Sequence, residues 1–193
     1  MSRVQLLKPQ ERPLPLEQPD KYRIRKFGVV GLDDHLILIH RDILREITDY
    51  SKSNLHQELG GVLVGGFYHW KGRQYVEIDA YIPARLGESR SASFKFTHDS
   101  WHEIQVIREQ KYPDRPLVGW HHTHPSFGIF LSNMDLFIHK GYFDQPWHVA
   151  LVVDPCADKL GFFQWRGEQV VTCGFHTLAP ANEPLRPATK GIR

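Results

Sequence analysis

Apolar positions change period along this chain, and the changes divide it into alternating strands and helices. His35 to Ile39 is a short apolar strand candidate, and Arg41 to Lys52 follows with Ile43, Leu44 and Ile47 at helical spacing. Leu59 to Phe67 is a glycine-bearing apolar run that reads as a buried strand, its glycines admitting close approach of another group to the backbone. From Tyr75 to Ile82, Tyr75, Glu77, Asp79 and Tyr81 alternate with Val76, Ile78, Ala80 and Ile82, the period-two pattern of a strand with one wet face. Leu86 to Phe96 is a polar, serine-rich loop. Thr97 is the predicted N-cap of a helix that carries Trp101, Ile104 and Ile107 and ends near Pro113. Pro116 to His121, Trp147 to Val153 and Leu160 to Trp165 read as strands, Ser132 caps a helix reaching about Gly141, and Val170 to Phe175 completes the sheet. The pattern predicts an α/β fold, a mixed β-sheet flanked by helices, without internal repeats.

The ends break the pattern. Residues 1–31 carry Pro9, Pro13, Pro15 and Pro19 among polar side chains, too little apolar area to offset chain entropy, so they are expected to form a flexible leader. Residues 179–193, with Pro180, Pro184 and Pro187, read as a flexible tail, which leaves one domain over residues 32–178. A length of 193 residues with 41% hydrophobic content suits a single core. Lysine and arginine total 24 against 22 acidic residues, and a net charge of +2 gives no reason to expect nucleic acid as a partner. No apolar stretch approaches the roughly 18 residues of a membrane span, and the N-terminus lacks the apolar core of a signal peptide. Two cysteines, Cys156 and Cys173, are too few for a disulfide framework. A cytoplasmic protein with both thiols as small core side chains is the expectation.

Twelve histidines are many for this length, and their spacing separates chemistry from chance. In Gly119-Trp120-His121-His122-Thr123-His124-Pro125, residues two apart on a strand share a face, so His122 and His124 can present both imidazoles to one metal while Thr123 points away. Pro125 stops the strand. Ser132 opens the next helix and puts Asp135 in its first turn, able to return a carboxylate to the strand end. Two histidines and one carboxylate leave a fourth tetrahedral position open, the mark of a catalytic rather than a structural zinc site, where the pKa of water falls from ~15.7 towards ~7. Amide hydrolysis also needs a proton carrier, and Glu58, just ahead of the glycine-rich strand, is the candidate; Ser132 is placed to donate to the oxyanion. Each piece has a plainer reading, since Ser132-x-x-Asp135 is also a capping-box-like helix start.

Glu58, His122-Thr123-His124-Pro125, the seven residues from Pro125 to Leu131, and Ser132-x-x-Asp135 resemble, position for position, the JAMM motif of the JAB/MPN metalloproteases. The resemblance runs over roughly residues 35 to 175 and includes Gly119-Trp120 and Val152-Val153-Asp154-Pro155. It implies a cytidine-deaminase-like mixed sheet between helices, a catalytic Zn2+, and hydrolysis of the bond after the C-terminal glycine of ubiquitin or a ubiquitin-like protein. By that resemblance His122, His124 and Asp135 are the ligands, Glu58 the acid/base and Ser132 the oxyanion donor. The expected partner is a ubiquitin-like protein or its conjugates, and the compact length is more like that of bacterial or archaeal members. Release of an amino acid from a sulfur-carrier ubiquitin-like protein and a non-catalytic MPN scaffold are the alternatives.

A nucleobase deaminase is a third reading, because His56-Gln57-Glu58 and Pro155-Cys156 mimic a zinc-deaminase signature, but Lys159 stands where the second cysteine belongs. Of the other histidines, His98 and His102 read as a surface pair on their helix. His139, four residues after Asp135, shares that residue's helix face, which makes it a candidate to support a ligand from behind, while His121 faces away from His122.

Overall fold

A computed structural model describes residues 8–183 as a ten-stranded mixed sheet with three α-helices and a separate two-stranded hairpin. The strands are β1 (Gln10–Glu11), β2 (Tyr22–Phe27), β3 (Leu36–His40), β4 (Gly60–Trp70), β5 (Arg73–Pro83), β6 (Glu88–Arg90), β7 (Ser93–Lys95), β8 (Leu117–Thr123), β9 (Val149–Asp154), β10 (Lys159–Arg166), β11 (Gln169–Cys173) and β12 (Phe175–Pro180). The helices are α1 (Arg41–Ser51), α2 (His98–Lys111) and α3 (Asn133–Tyr142). The main sheet runs β11-β10-β9-β8-β4-β5-β3-β12-β2, with β1 added parallel to β4. The α/β class and mixed sheet expected from the pattern are those observed.

Strand alternation assigns the two faces. Leu63, Ile37, Ile39 and Leu151 point to the side where α1 packs with Leu44 and Ile47. Val62, Val64, Trp120 and Val152 point to the other, against Ile104 of α2 and Ile138 and Phe143 around α3. Burying each such side chain stabilises the fold by about 1.5–3 kcal/mol, and Leu63→Ala in this fully buried position would cost about 2–5 kcal/mol. The long strand β4 shifts register against β8 between Leu63 and Val64 and against β5 between Val64 and Gly65. A Cβ at Gly65 would collide with the Glu77 carbonyl, so the shift requires glycine there. Helix α2 begins as expected at Thr97, whose hydroxyl accepts from Ser100 N at 3.0 Å while Thr97 N donates to Ser100 Oγ at 2.8 Å.

Six expectations are corrected. From residue 8 the leader is a strap laid on the sheet: β1 pairs with Tyr68 and His69, the Tyr75 hydroxyl donates to the Arg12 carbonyl at 3.1 Å, and β2 forms the sheet's outer strand against β12. Backbone pairing, to which composition is blind, is joined by an apolar cluster in which Leu14, Leu16, Tyr22 and Ile24 pack with Leu36, Leu38 and Tyr75; residues 1–7 lie outside the described residues. The tail begins later than expected, since Ala179 and Pro180 pair with Arg23 and Tyr22, and residues 184–193 lie outside the description. The wet face of β5 is not wet, because Tyr75, Glu77 and Tyr81 are buried under the strap and α1. The run from Val170 to Phe175 is two strands that part at Gly174, β11 staying beside β10 and β12 inserting between β3 and β2. The serine-rich loop also contains order, the β6–β7 hairpin. Cys156 is exposed and Cys173 half-buried, so the first is not a core side chain.

Candidate metal centre

The site lies where the C-terminal end of β8 meets the first turn of α3. His122 and His124 share a face of β8's end and are buried, with their Nε2 atoms 3.0 Å apart. Thr123 between them points the other way, as the period of two requires. Its Oγ1 accepts from Leu59 N at 2.8 Å and its own N–H donates to the Leu59 carbonyl at 2.9 Å. That grip on Leu59, together with a 2.8 Å bond from Glu58 N to the Arg90 carbonyl of the hairpin, fixes the backbone of buried Glu58. Gly60, next in line, is covered by the ring of Phe94 from β7, and a Cβ there would strike that ring. The sequence therefore uses glycine to seat the hairpin beside Glu58.

Asp135 arrives from α3. The Ser132 hydroxyl accepts from Asp135 N at 3.2 Å, and Asp135 Oδ2 accepts from Ser132 N at 2.6 Å, a complete capping box. The plain reading of Ser132-x-x-Asp135 thus holds, and the cap also turns Asp135 Oδ1 to within 3.3 Å of His122 Nε2 and leaves Oδ2 3.4 Å from His124 Nε2. Ligand atoms bound at ~2.0–2.1 Å around a tetrahedral ion stand roughly 3.3 Å apart. The two ring nitrogens stand 3.0 Å apart, and they lie 3.3 and 3.4 Å from different oxygens of the one Asp135 carboxylate, close to that spacing, so the donor set fits a divalent metal of the zinc type. Among the described residues this is the one cluster of three or more such side chains whose ligand atoms converge, all within 4.8 Å of one another.

Charge follows the same geometry. Burial alone would raise the Asp135 carboxyl, but hydrogen bonds to the His122 and His124 rings outweigh it and hold it far below the usual range. Burial lowers His122. It also works against protonation of His124, where the Asp135 and Glu58 carboxylates prevail and raise the ring's pKa. Glu58 lies 3.9 Å from His124 Nε2, too far for a full ion pair, and burial pushes its carboxyl up to about 7. A carboxyl at that value can take up and release a proton near neutral pH.

Several residues that shape the site carry no signal in the motif. The Gly128 carbonyl lies 3.2 Å from His124 Nδ1 and orients that ring. Asp154, at the end of β9, holds the Gly128 loop by accepting from Gly128 N at 3.0 Å and Ser126 N at 3.0 Å, and closes its own turn on Cys156 N and Ala157 N. Trp120 stacks flat on His122, with ring centroids 4.4 Å apart. His139 is buried beside Trp120 rather than at the ligand atoms, with burial lowering its pKa to about 3. His121 faces α1 as expected, between Ser51 Oγ and Tyr81 OH at 3.0 Å each. His98 and His102 are exposed on α2. His56 and Cys156, on which a deaminase reading depends, are both exposed and outside the cluster.

The chain is similar to several known proteins to different depths. The chain is 27% identical over 170 residues to the 26S proteasome regulatory subunit RPN11 of Eremothecium gossypii, covering 83% of this chain and 51% of that one. It is 26% identical over 150 residues to a STAM-binding protein-like protein of Xenopus laevis, covering 76% and 34%. The AMSH-like ubiquitin thioesterase 2 of Arabidopsis thaliana is 30% identical over 118 residues, covering 61% and 50%. The chain thus spans about half or less of the length of these curated relatives. The solution structure of protein DSY2949 from Desulfitobacterium hafniense superposes with a TM-score of 0.53 at 16% identity, over 71% of this chain and 89% of that one, a likeness of fold. Residues 35–145 match the family described as JAB1/Mov34/MPN/PAD-1 ubiquitin protease, a stretch that holds Glu58, both histidines, Ser132 and Asp135. Because that match takes in more than half of the 193 residues and runs from β3 through α3, the chain belongs to the JAB1/Mov34/MPN/PAD-1 family.

Proposed function

We propose that this protein is a zinc metallo-isopeptidase that hydrolyses the peptide or isopeptide bond after the C-terminal glycine of a ubiquitin-like protein. The observation that carries the reading is the convergence of buried His122, His124 and Asp135 within 4.8 Å, with the Glu58 carboxyl beside them. The names of the relatives, a proteasomal RPN11 and an AMSH-like ubiquitin thioesterase among them, supply the substrate class.

His122, His124 and Asp135 would hold the ion, which when bound supplies the Lewis acidity that makes water nucleophilic near neutral pH. Glu58 accepts a proton from the attacking water and returns it to the leaving nitrogen, a role suited to a carboxyl raised to about 7. The Ser132 oxygen already accepts from Asp135 N, so its hydrogen is free to donate to the substrate oxygen as negative charge builds there. The β6–β7 hairpin, bonded through Arg90 to Glu58, offers an edge on which an extended substrate tail can add as a strand. Shortening it should raise KM for a folded modifier more than for a short peptide; unchanged kinetics on both would make it a connector.

The reading is tested with ubiquitin-like modifiers whose tails end in glycine or valine ahead of the scissile bond. Glycine lets the substrate backbone approach a buried site without a side-chain clash. Valine should slow cleavage at least about tenfold, equivalent to ~1.4 kcal/mol. Equal rates on both tails, or no cleavage of either by the zinc-loaded protein, would remove the assignment.

A further inference from the structure

The two histidines of the cluster are oriented by different means. His124 has its distal nitrogen, Nδ1, 3.2 Å from the Gly128 carbonyl, the usual arrangement in which a hydrogen bond at one ring nitrogen aims the other at a metal. His122 has no such bond: its Nδ1 is buried and lacks a hydrogen-bond partner among the described residues. What touches the His122 ring instead is Trp120, two residues earlier on β8, whose indole lies parallel to it at 4.4 Å and 10°. The indole is itself held. Its Nε1 donates to His139 Nδ1 at 3.0 Å, and its ring stacks with Phe143 and meets Phe96 edge-on.

An indole N–H can only donate, so His139 Nδ1 must be the unprotonated nitrogen and the proton sits on Nε2. His139 stacks in turn on Trp165 of β10, with centroids 5.2 Å apart, and Trp165 is tied by its Nε1 to the Phe143 carbonyl at 2.8 Å. The hydrogen bond from Trp120 to His139 therefore joins β8, which carries His122, to α3, which carries Asp135 one turn before His139.

We infer that His139, acting through Trp120, is the positioning residue for His122, and that this stacked relay replaces the missing hydrogen bond in fixing the ring against Asp135. The inference rests on the proposed metal site. His139 touches neither metal nor substrate, and its effect should appear in metal affinity before it appears in chemistry.

The test is zinc affinity, measured by competition with a chromophoric chelator, together with the visible spectrum of the cobalt-loaded protein. His139→Leu keeps apolar volume and removes the acceptor; it should weaken zinc binding about ten- to a hundredfold and alter the cobalt spectrum. His139→Asn, whose side chain can place an oxygen near the Nδ1 position, should recover most of that affinity. Trp120→Phe keeps a stacked ring without the N–H, and it should weaken binding less than His139→Leu, with the double variant no weaker than the worse single one. Circular dichroism confirms folding, and if His139→Leu does not fold, Trp120→Phe decides the matter: it should bind zinc several-fold more weakly than wild type, and wild-type affinity there overturns the relay. Wild-type affinity in folded His139→Leu, or equal loss in the Leu and Asn variants, overturns the relay while leaving the metal site intact. Failure of the wild type to bind zinc overturns both.

Discussion

Two carboxylates are buried beside the same strand and do opposite things. Glu58, ahead of β4, and Glu77, opposite Gly66 in β5, are 4% and 2% exposed. Glu77 is matched on both oxygens: Arg12 Nη1 lies 3.2 Å from Oε2 and His40 Nε2 2.9 Å from Oε1. Glu58 has a single cationic neighbour at 3.9 Å, and that neighbour is shared with Asp135. Burial is similar in the two places, so the neighbours make the difference. Glu77, with Arg12 and His40 beside it, ties a strap to a sheet, whereas burial with one more distant partner pushes the Glu58 carboxyl up to about 7.

The largest effect expected from this contrast is at Glu58. Glu58→Gln keeps the shape and removes the proton carrier, and turnover should fall about 100- to 10,000-fold, roughly 3–5 kcal/mol of activation free energy. Zinc content and fold should survive, because the group is not among the three converging ligands. Turnover within tenfold of wild type would show that another group moves the proton.

A smaller effect belongs to the paired end. Arg12→Ala removes one of the two partners of Glu77 and the cation over the Tyr68 ring, which lies 4.7 Å from the guanidinium carbon. Arg12 is itself 37% exposed, so water takes over part of its role and the loss should be about 1–3 kcal/mol in chemical denaturation. Activity per folded molecule should not change. If Arg12→Ala unfolds at the same denaturant concentration as an exposed control such as Lys26→Ala, the Arg12–Glu77 contact contributes nothing to stability.

The same contrast explains what could be read from the sequence. The site was legible because its pieces are local: the period of two aligns His122 with His124, and Ser132 capping its own helix fixes where Asp135 starts. Helices α1 and α2 and most inner strands were legible by period and caps. The strap was not, since Arg12 finds Glu77 across 65 residues and its proline-rich surroundings look like solvated chain. Hidden with it was the burial of Tyr75, Glu77 and Tyr81, whose alternation with apolar residues resembles a strand facing water until the covering segment is known. Gly128 escaped, and Asp154, although it stands in the resemblance, did not show its role, for a related reason: one acts through a carbonyl every residue possesses, the other through a loop 26 residues away.

The smallest effect sharpens the comparison by pH. The hydrogen bond from His40 to Glu77 raises the His40 pKa above its ordinary ~6.5, with burial working against it. A histidine raised on folding contributes stability that is fully present below the unfolded-state pKa and is lost as pH rises through the folded-state value. His40→Gln keeps a donor and removes the titration. The denaturation midpoint of wild type should therefore exceed that of His40→Gln most at about pH 5.5, with the gap narrowing towards about pH 9. The His122, His124 and Asp135 end should not contribute to this difference, since both proteins carry it unchanged. A gap that stays constant across that range would mean that the proton on His40 plays no part in holding the strap, and that Arg12 alone compensates the buried charge of Glu77.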